Sequence, residues 1–392
     1  MHGPWRDPEC FCSASHGRLN RLYAADADET VWARNLRTRF GYARRDMVMA
    51  IGHFSQLYSE RSTDCPPART PETLSSSRQA ATPAYSIFHE RWWLDIATGG
   101  DWGMATVMHG NQLLGEMPYY LARKGVWRVS RLPPLTRTLG PVIKPIGADP
   151  VREFRHRMHV TTRLIEQLPR FDSFFQVFDH RVKDALAFAL RGFTVSARYT
   201  FHIGPDCTAP EVWVRMSSKT RNVVRNAATT LTVRPVEAPR EFLRFYEANL
   251  ASRSRTNAYG TVVMRELVNA FVERRAGHLL GAYDRGGRLA GVIGLVWDCD
   301  SMYYLLSSRA QGSPGGAISL LIWSAIQEAI RRKLTFDFDG FSGAATYDFL
   351  SGFGGTLTQR LGVERLSTIY AVARTLKRGV SHKSHEAFTP NL

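Results

Sequence analysis

Two carboxylates stand close together in the stretch "LTFDFDGFSGAATYDFLSGFGG", residues 334–355. Asp337 and Asp339 alternate there with phenylalanines, a pattern typical of a β-strand. Side chains two residues apart on a strand share one face, so we expect the carboxylates to lie side by side. A like charge raises the pKa of one member of such a pair, which could then accept a proton near neutral pH. The structural alternative is that Asp339 caps the turn at Gly340 while Asp337 pairs with an arginine.

A glycine-rich loop lies upstream of these carboxylates. The strand "MYYLLSS" runs into "RAQGSPGGA", and the helix "ISLLIWSAIQEAI" follows directly. Gly312, Gly315 and Gly316 would let backbone N–H groups and the helix dipole point at one anion, and Arg309 could add charge. We therefore predict a phosphate or pyrophosphate site here, with an ordinary connection between two elements as the alternative.

A compact basic face is predicted in "SSKTRNVVRNA". On a helix Arg221 and Arg225 are neighbours four residues apart, and Lys219 lies near a serine cap at Ser217 or Ser218. Contact with a phosphorylated or polyanionic substrate is one interpretation of this face. A solvated surface without a partner is the other.

The strands and helices around these residues belong to a pattern that occurs twice in the chain. "ATVMHGNQLLGEMPYYLARKGVWRVSRL" and "HLLGAYDRGGRLAGVIGLVWDCDSMYYLL" both predict a three-stranded meander, with hairpin turns at Gly-Asn and Gly-Gly. A helix and one more strand follow each meander, and Asp149 and Pro150 mark the start of the first of these helices. Two copies of β-β-β-α-β indicate a tandem duplication of an α+β unit.

The composition narrows the class of protein. The chain has 392 residues and a net charge of +16, which favours anionic partners, although a bias toward arginine can also reflect coding composition. Its five cysteines form no metal-ligand spacing, so we expect a reduced, cytoplasmic protein without a metal. No apolar run suits a membrane span or a secretory signal. Because motifs for a covalent nucleophile, a P-loop or a zinc protease are missing, direct group transfer with general-base help is favoured.

Four segments are expected along the chain. Residues 1–80 are polar, rich in proline and serine, and aperiodic, which predicts a disordered extension or a start codon placed too far upstream. The repeated units are assigned to 81–210, here called the first half, and 211–378, the second half. Residues 379–392 form a C-terminal tail.

Between about Tyr85 and Arg374 the sequence resembles the FemAB-like acyltransferases, also called the BioF2-like acetyltransferase domain family. The resemblance rests on "WWLDIATGGDWGMATV", "MPYYLARKGVWRVSRLPPLTRTLGP", "SSKTRNVVRNA", "YYLLSS", "ISLLIWSAIQEAI" and "FDFDGFSGAATYDFLSGFGG". It implies two tandem GNAT-like units with mixed, mostly antiparallel sheets. It also implies transfer of an acyl or aminoacyl group to an amine of a cell-wall precursor or envelope polysaccharide, with the first half on the acceptor side.

The resemblance also implies roles for individual residues. Asp339 or Asp337 would take the proton from the attacking amine, and Tyr303 or Tyr304 would protonate the leaving thiolate. Backbone N–H groups near two serines would polarise the acyl carbonyl. The donor-binding residues are then Ser307, Ser308, Arg309, Gly312, Gly315 and Gly316. The residues assigned to the anionic acceptor are Lys219, Arg221, Arg225 and Tyr347.

The donor and the partners stay open at this point. Acyl-CoA is the donor we expect, and aminoacyl-tRNA is the alternative that the positive charge and the basic helix would suit. A third alternative, from another class, is a non-catalytic unit that binds anionic glycans or lipid surfaces. Peripheral association with a membrane is compatible with all three.

Overall fold

The computed structural model describes residues 86–147, 149–341 and 343–380. These residues all fall within one compact unit, Arg78–Leu392. The predictions for residues 1–80, and for all but the first two residues of the 379–392 tail, lie outside the described residues.

The chain alternates helices and strands as an α+β protein does. The helices are α1 (Arg91–Thr98), α2 (Pro150–Glu166), α3 (Leu186–Leu190), α4 (Ala209–Arg215), α5 (Ser218–Ala228), α6 (Pro239–Ala251), α7 (Thr261–Glu273), α8 (Ala317–Arg331), α9 (Ala344–Ser351) and α10 (Thr368–Val380). The strands are β1 (Trp102–His109), β2 (Gln112–Lys124), β3 (Trp127–Ser130), β4 (Val142–Ile143), β5 (Ser173–Val177), β6 (Thr194–Ile203), β7 (Leu231–Pro235), β8 (Gly277–Asp284), β9 (Leu289–Trp297), β10 (Ser301–Arg309), β11 (Thr335–Asp337) and β12 (Thr356–Leu366).

The predicted duplication is present. The meanders β1–β2–β3 and β8–β9–β10 are each antiparallel, and α2 and α8 follow them. After each helix comes a strand parallel to the last strand of its meander: β5 beside β3, and β11 beside β10. Both copies therefore have the same arrangement, and the α+β fold with mostly antiparallel pairing is confirmed.

The two copies share one sheet because they exchange a strand. The described strands form a 12-stranded sheet in the order β1-β2-β3-β5-β12-β6-β11-β10-β9-β8-β7, with β4 paired to β2. β12 of the second half lies against β5 of the first half, and β6 of the first half lies against β11 of the second. The exchanged strands β6 and β12 pair with each other from Thr356↔His202 to Glu364↔Thr194, at the centre of the sheet. Neither half can complete its sheet alone.

Local sequence explains where the helices begin. The Asp149 side chain accepts hydrogen bonds from the N–H groups of Val151 and Arg152, and Pro150 occupies the first turn of α2, as predicted. Ser217 caps α5 by accepting from the N–H of Thr220 at 3.1 Å. These caps satisfy N–H groups that have no acceptor within their own helix.

The two largest apolar clusters pack helices against strands of the sheet. In the second half, Phe242 of α6 and Phe271 of α7 are fully buried together with residues of β8, β9 and β10. In the first half, Phe174, Phe178 and Phe188 are fully buried against α2. Among the described residues, no helix is long and apolar enough to cross a membrane.

One expectation about the carboxylates is wrong. β11 ends at Asp337, so Asp339 does not continue the strand, and its φ of 67° places it in the left-handed region. The positive φ turns the chain at this point. The two carboxylates are close through this turn and not through strand alternation.

Gly316 is needed for packing as well as for the predicted anion site. Its φ is 87°, and a Cβ there would lie 2.9 Å from Val223 Cγ1 and 3.0 Å from both Ala227 Cβ and the Val223 carbonyl oxygen on α5. Gly315 has no positive φ, and a Cβ there would meet nothing within 4 Å. Of these two glycines, only Gly316 packs against α5.

We expect Gly316→Ala to lower the free energy of unfolding by about 1–3 kcal/mol, through backbone strain and overpacking against α5. Gly315→Ala is the matched control and should change it by less than about 0.5 kcal/mol. Urea unfolding of both variants measures the difference. Equal effects at the two positions would show that α5 does not constrain this loop.

Candidate active site

A split in the sheet opens next to the two carboxylates. The parallel pairing of β10 with β11 runs from Ser301↔Thr335 only to Tyr303↔Asp337. Directly beyond it the pairing of β10 with β9 shifts register between Tyr304 and Leu306, so Leu305 forms a bulge. A bulge bends its strand and increases the local twist. Past Tyr303 the edge of β10 that faces β11 therefore has no partner among the described strands.

Two adjoining cavities lie at this split. The first, of about 390 Å³, is called the donor cavity, and its lining residues are Tyr304, Ser307, Arg309, Gly316, Ile318, Ser319, Thr346, Phe349 and Leu350. The second, of about 380 Å³, is called the acceptor cavity, and its lining residues are Arg137, Val177, Arg198, Tyr199, Tyr246, Tyr259, Tyr304, Leu305, Leu306, Ser307, Phe338, Asp339, Gly340, Phe341, Thr346, Leu350 and Arg360. Tyr304 and Ser307 are among the residues common to both.

The donor cavity ends at the first turn of α8. The N–H groups of that turn have no acceptor within the helix, and a helix of this length carries a positive dipole at its N-terminus. Arg309 lines the cavity, and Nη2 of Arg253 donates to the Arg309 carbonyl at 2.9 Å, which brings a second cation to the loop. A pyrophosphate fits this donor set.

Only some of the predicted donor-binding residues line the donor cavity. Ser307, Arg309 and Gly316 line the donor cavity, whereas Ser308 lines neither cavity. Gly312 and Gly315 have open space where a Cβ would stand, so the loop backbone is accessible at both.

Asp337 lies at the centre of a buried polar cluster. It is 1% exposed, and its carboxylate pairs with the Arg360 guanidinium of β12. Its Oδ1 accepts from Thr200 Oγ1 and from the Asp339 N–H, both at 2.8 Å, and its Oδ2 lies 3.0 Å from His202 Nε2. Burial alone would raise the pKa of Asp337, but Arg360 and His202 outweigh it and hold the pKa well below its usual range. Asp337 therefore stays ionised at neutral pH.

Asp339 has the opposite electrostatic character. Its carboxylate lines the acceptor cavity, pairs with Arg137, and lies 3.9 Å from Arg360 Nη1. Burial raises the pKa of Asp339 to about 7, assisted by the charge of Asp337 and opposed by the two arginines. Of the two carboxylates, only Asp339 combines access to a cavity with titration near neutral pH.

Arg137 connects the two sides of the split. It comes from the proline-stiffened loop of the first half, "PPLTRTLGP", and its Nη2 donates to the carbonyl of Leu305 in the β10 bulge at 2.7 Å. Its guanidinium lies 5.8 Å from the ring centre of Tyr259. Local sequence patterns do not predict Arg137, Arg198 or Arg360 as site residues. The proline-rich loop around Arg137 could have indicated its position. Nothing local indicates Arg198 or Arg360, because the sequence around an arginine on a strand does not show which residue it will pair with.

Tyr303 and Tyr304 differ in whether they line the cavities. Tyr303 is 1% exposed, lines neither cavity, and donates its hydroxyl to Asp298 Oδ2 at 3.1 Å. Tyr304 lines both cavities, and burial raises its pKa to about 12, so its hydroxyl keeps its proton at neutral pH. Of the two, Tyr304 is placed to donate a proton inside the cleft.

The basic helix α5 is used mainly within the fold. Arg221 Nη1 donates to the carbonyls of Val214 at 2.9 Å and Met216 at 2.6 Å, which caps the end of α4. Arg225 lies over the Trp213 ring at 5.6 Å. Neither arginine lines the donor cavity or the acceptor cavity, and neither does Lys219.

Tyr347 lies beside the acceptor cavity and not in its wall. Its ring is 5.4 Å from that of Phe341, which does line the cavity, and 5.8 Å from that of Phe201. An acceptor binding in the cleft would therefore meet Phe341 before Tyr347. The structure thus brings Asp339, Tyr304 and Ser307 together, and leaves the four predicted acceptor residues outside the cavity walls.

The chain is similar to known proteins in part of its sequence and in its fold. Residues 215–349 match the acetyltransferase (GNAT) domain family. The structure called FemX is 11% identical, covers 74% of this chain and 94% of its own, and superimposes with a TM-score of 0.56. The C-terminal domain of a putative lysylphosphatidylglycerol synthetase from Agrobacterium fabrum is 11% identical, with 74% and 95% coverage and a TM-score of 0.47. No curated protein matches the chain significantly.

Residues 215–349 therefore resemble a GNAT acetyltransferase domain, and the likeness to FemX shows a shared fold. The prediction of two tandem GNAT-like units is confirmed by the repeated meanders together with the FemX-like fold. This class of domain belongs to the transferases.

The opposite pKa shifts predict opposite pH profiles of stability. Asp337, whose pKa is lowered on folding, stabilises the fold above its unfolded pKa of about 4, and this contribution is lost as the pH falls. Asp337→Asn should therefore lower the free energy of unfolding by about 3–5 kcal/mol at pH 7, because Arg360 loses its buried partner, and by less at pH 3–4.

Asp339, whose pKa is raised to about 7 on folding, destabilises the fold increasingly as the pH rises from about 4 to 7. Relative to wild type, Asp339→Asn should thus gain stability across that interval and level off above it. Denaturant unfolding at four pH values between 4 and 8 measures both trends. Parallel profiles for the two variants would contradict the assignment of opposite shifts.

Proposed function

We propose that the protein transfers an acyl group from acyl-CoA to a primary amine of an anionic cell-envelope precursor. The observation that carries this proposal is the position of Asp339, a carboxylate with a pKa of about 7 in the wall of a cavity that adjoins the anion-binding end of α8. An amine is protonated at neutral pH and must lose a proton before it attacks, and Asp339 can accept that proton.

The donor side is supported by the loop between β10 and α8. The first turn of α8, Arg309 and the nearby Arg253 supply N–H groups and positive charge for a pyrophosphate. The donor cavity continues from there along β10 to Ser307 and Tyr304, where it meets the acceptor cavity. A carrier bound by its pyrophosphate would thus present its acyl end at the junction of the two cavities.

The acceptor side is supported by a cationic and aromatic lining. Arg137, Arg198 and Arg360 line the acceptor cavity together with tyrosines. The Nε of Arg198 is buried and has no hydrogen-bond partner among the described residues, so an anionic group of an acceptor would satisfy it. The resemblance to FemAB-like acyltransferases supports a cell-wall precursor or envelope polysaccharide as the source of that anion.

The proposed reaction moves two protons off the nitrogen and one proton onto the sulfur. The ammonium group first gives a proton to Asp339, which releases it to solvent. The neutral nitrogen then bonds to the acyl carbon, Asp339 takes the second proton, and the carbon–sulfur bond breaks. The Tyr304 hydroxyl gives a proton to the leaving thiolate, and the tyrosine regains one from Asp339 or from solvent. Backbone N–H groups of β10 near Ser307, on the edge that faces away from β9, would polarise the carbonyl during attack.

Aminoacyl-tRNA is the second candidate donor. The net charge of +16 supports it, since a polyanionic carrier would be attracted to the surface. The donor cavity favours acyl-CoA, the smaller of the two carriers, because this cavity ends at a single helix N-terminus.

Asp339→Asn tests the proton acceptor. The substitution keeps the size of the side chain but removes its basicity, so turnover should fall about 10²–10⁴-fold while donor affinity stays unchanged. Release of free thiol from acetyl-CoA with a panel of amino sugars and amino acids measures turnover. Asp348→Asn, an exposed carboxylate on the neighbouring helix α9, is the matched control and should retain wild-type turnover.

Wild-type turnover in Asp339→Asn would exclude Asp339 as the base. In Asp337→Asn, measured at a temperature where the variant is folded, the acid limb of the pH–rate profile should move to lower pH. The reason is that removing the neighbouring negative charge lowers the pKa of Asp339. An unshifted limb would indicate that another group is titrating.

Gly315→Val tests the donor site. A side chain at this open position should obstruct the approach of a pyrophosphate to the loop backbone, so affinity for acetyl-CoA should fall about tenfold or more. Gly204→Val is the control, because Gly204 is equally open and lines neither cavity. Isothermal titration measures both. Wild-type protein that binds no acetyl-CoA would instead favour aminoacyl-tRNA as the donor.

A further inference from the structure

The C-terminal helix α10 faces the body of the protein with its polar side. The ring of Tyr370 packs edge-on against Trp127 at 5.3 Å, and Arg374 Nη1 donates to Glu364 Oε1 on β12 at 2.6 Å. These two residues are four apart and share one side of the helix. That side is therefore the one that rests on the sheet.

The other side of α10 is apolar and exposed. Ile369 is 73% exposed, Val372 54% and Leu376 68%. Their spacing of three and four residues aligns them in one stripe along the helix, about a third of a turn away from Tyr370. An amphipathic helix normally buries its apolar stripe, so a stripe that faces water marks an interaction surface.

The turn between β2 and β3 extends this surface. Val126 at its tip is 87% exposed, and its neighbour Trp127 is the residue that contacts α10. Basic side chains flank the tip on both sides: Arg123, Lys124 and Arg128 are all exposed. We call α10 and this turn together the docking surface.

The docking surface carries more cations than acids. Arg123, Lys124 and Arg128 are exposed, and Arg374 is paired with Glu364. Asp172, whose Oδ2 accepts from the Arg128 N–H at 2.8 Å, is the other acid nearby, so the cations remain in excess. A partner for this surface must therefore offer apolar groups to the stripe and negative charge to the cations beside it.

We propose that the docking surface binds an anionic lipid bilayer, with the stripe of α10 and Val126 inserted among the lipid headgroups. Helices with an apolar stripe and flanking lysine and arginine bind in the plane of a bilayer interface in this way. Each flanking cation adds attraction to acidic headgroups. A second copy of the chain would bring two basic surfaces together, which the charge disfavours. The proposal does not depend on the reaction proposed above.

The full-length protein should bind vesicles that contain phosphatidylglycerol in phosphatidylcholine, and bind vesicles of phosphatidylcholine alone at least about tenfold more weakly. Flotation of vesicles through a density gradient measures both, and added salt should weaken binding. A variant with Ile369→Ser, Val372→Ser and Leu376→Ser should bind the acidic vesicles about tenfold or more weakly, since it removes inserted apolar groups. Arg123→Glu with Lys124→Glu should lose the preference for acidic lipid.

The matched control exchanges three residues of similar exposure elsewhere on the surface. Leu190, Val214 and Val262 are 70%, 74% and 54% exposed, and their serine variant should bind vesicles as wild type does. Equal loss in the control, or no binding of wild type to acidic vesicles, would overturn the proposal.

Two other outcomes would name a different occupant and also overturn the proposal. A wild-type dimer in size-exclusion chromatography that the α10 variant converts to a monomer would identify a second copy. A drop in melting temperature of more than about 5 °C in the α10 variant alone would show that another segment of the chain covers the stripe.

Discussion

The buried ion pair between Asp337 and Arg360 is the interaction on which the centre of this protein depends. It joins β11 to β12, and the hydrogen bond from Thr200 joins β6 to the same carboxylate. All three strands belong to the part of the sheet where the two halves exchange strands. Removing one partner of a buried pair leaves an uncompensated charge, so loss of either residue would disturb the whole cluster. Thr200 and His202 of β6 contact the same carboxylate and thereby extend the cluster into the first half. The negative charge of Asp337 also raises the pKa of Asp339.

The cleft exists because two strands that begin as neighbours are driven apart. β10 and β11 pair up to Tyr303↔Asp337, and the bulge at Leu305 then turns β10 away. Arg137 reaches this opening from the first half and binds both the bulge carbonyl and Asp339. The same bulge therefore creates the space for two substrates and provides an anchor for the arginine that orients the carboxylate.

The exchange of strands explains why one cavity needs both halves. Arg137, Arg198 and Tyr199 come from the first half, while Tyr304, Asp339 and Arg360 come from the second, and all of them line the acceptor cavity. The donor cavity is lined by the second half alone. The two copies thus contribute unequally: the second half alone forms the cavity at the start of α8, and the first half adds a wall to the other cavity.

The sequence predicts the duplicated meanders, the helix starts at Asp149 and Ser217, and the glycine loop before α8, because these depend on contacts between residues close along the chain. Local patterns also made both Asp337 and Asp339 candidates. Only the folded structure determines which carboxylate is buried with an arginine, since Asp337 and Arg360 meet only when β12 inserts next to β6. It likewise decided that Arg221 caps a helix and that Arg137, from the other half, faces the cleft. Pairing across a sheet depends on strand order, and no local pattern encodes that order.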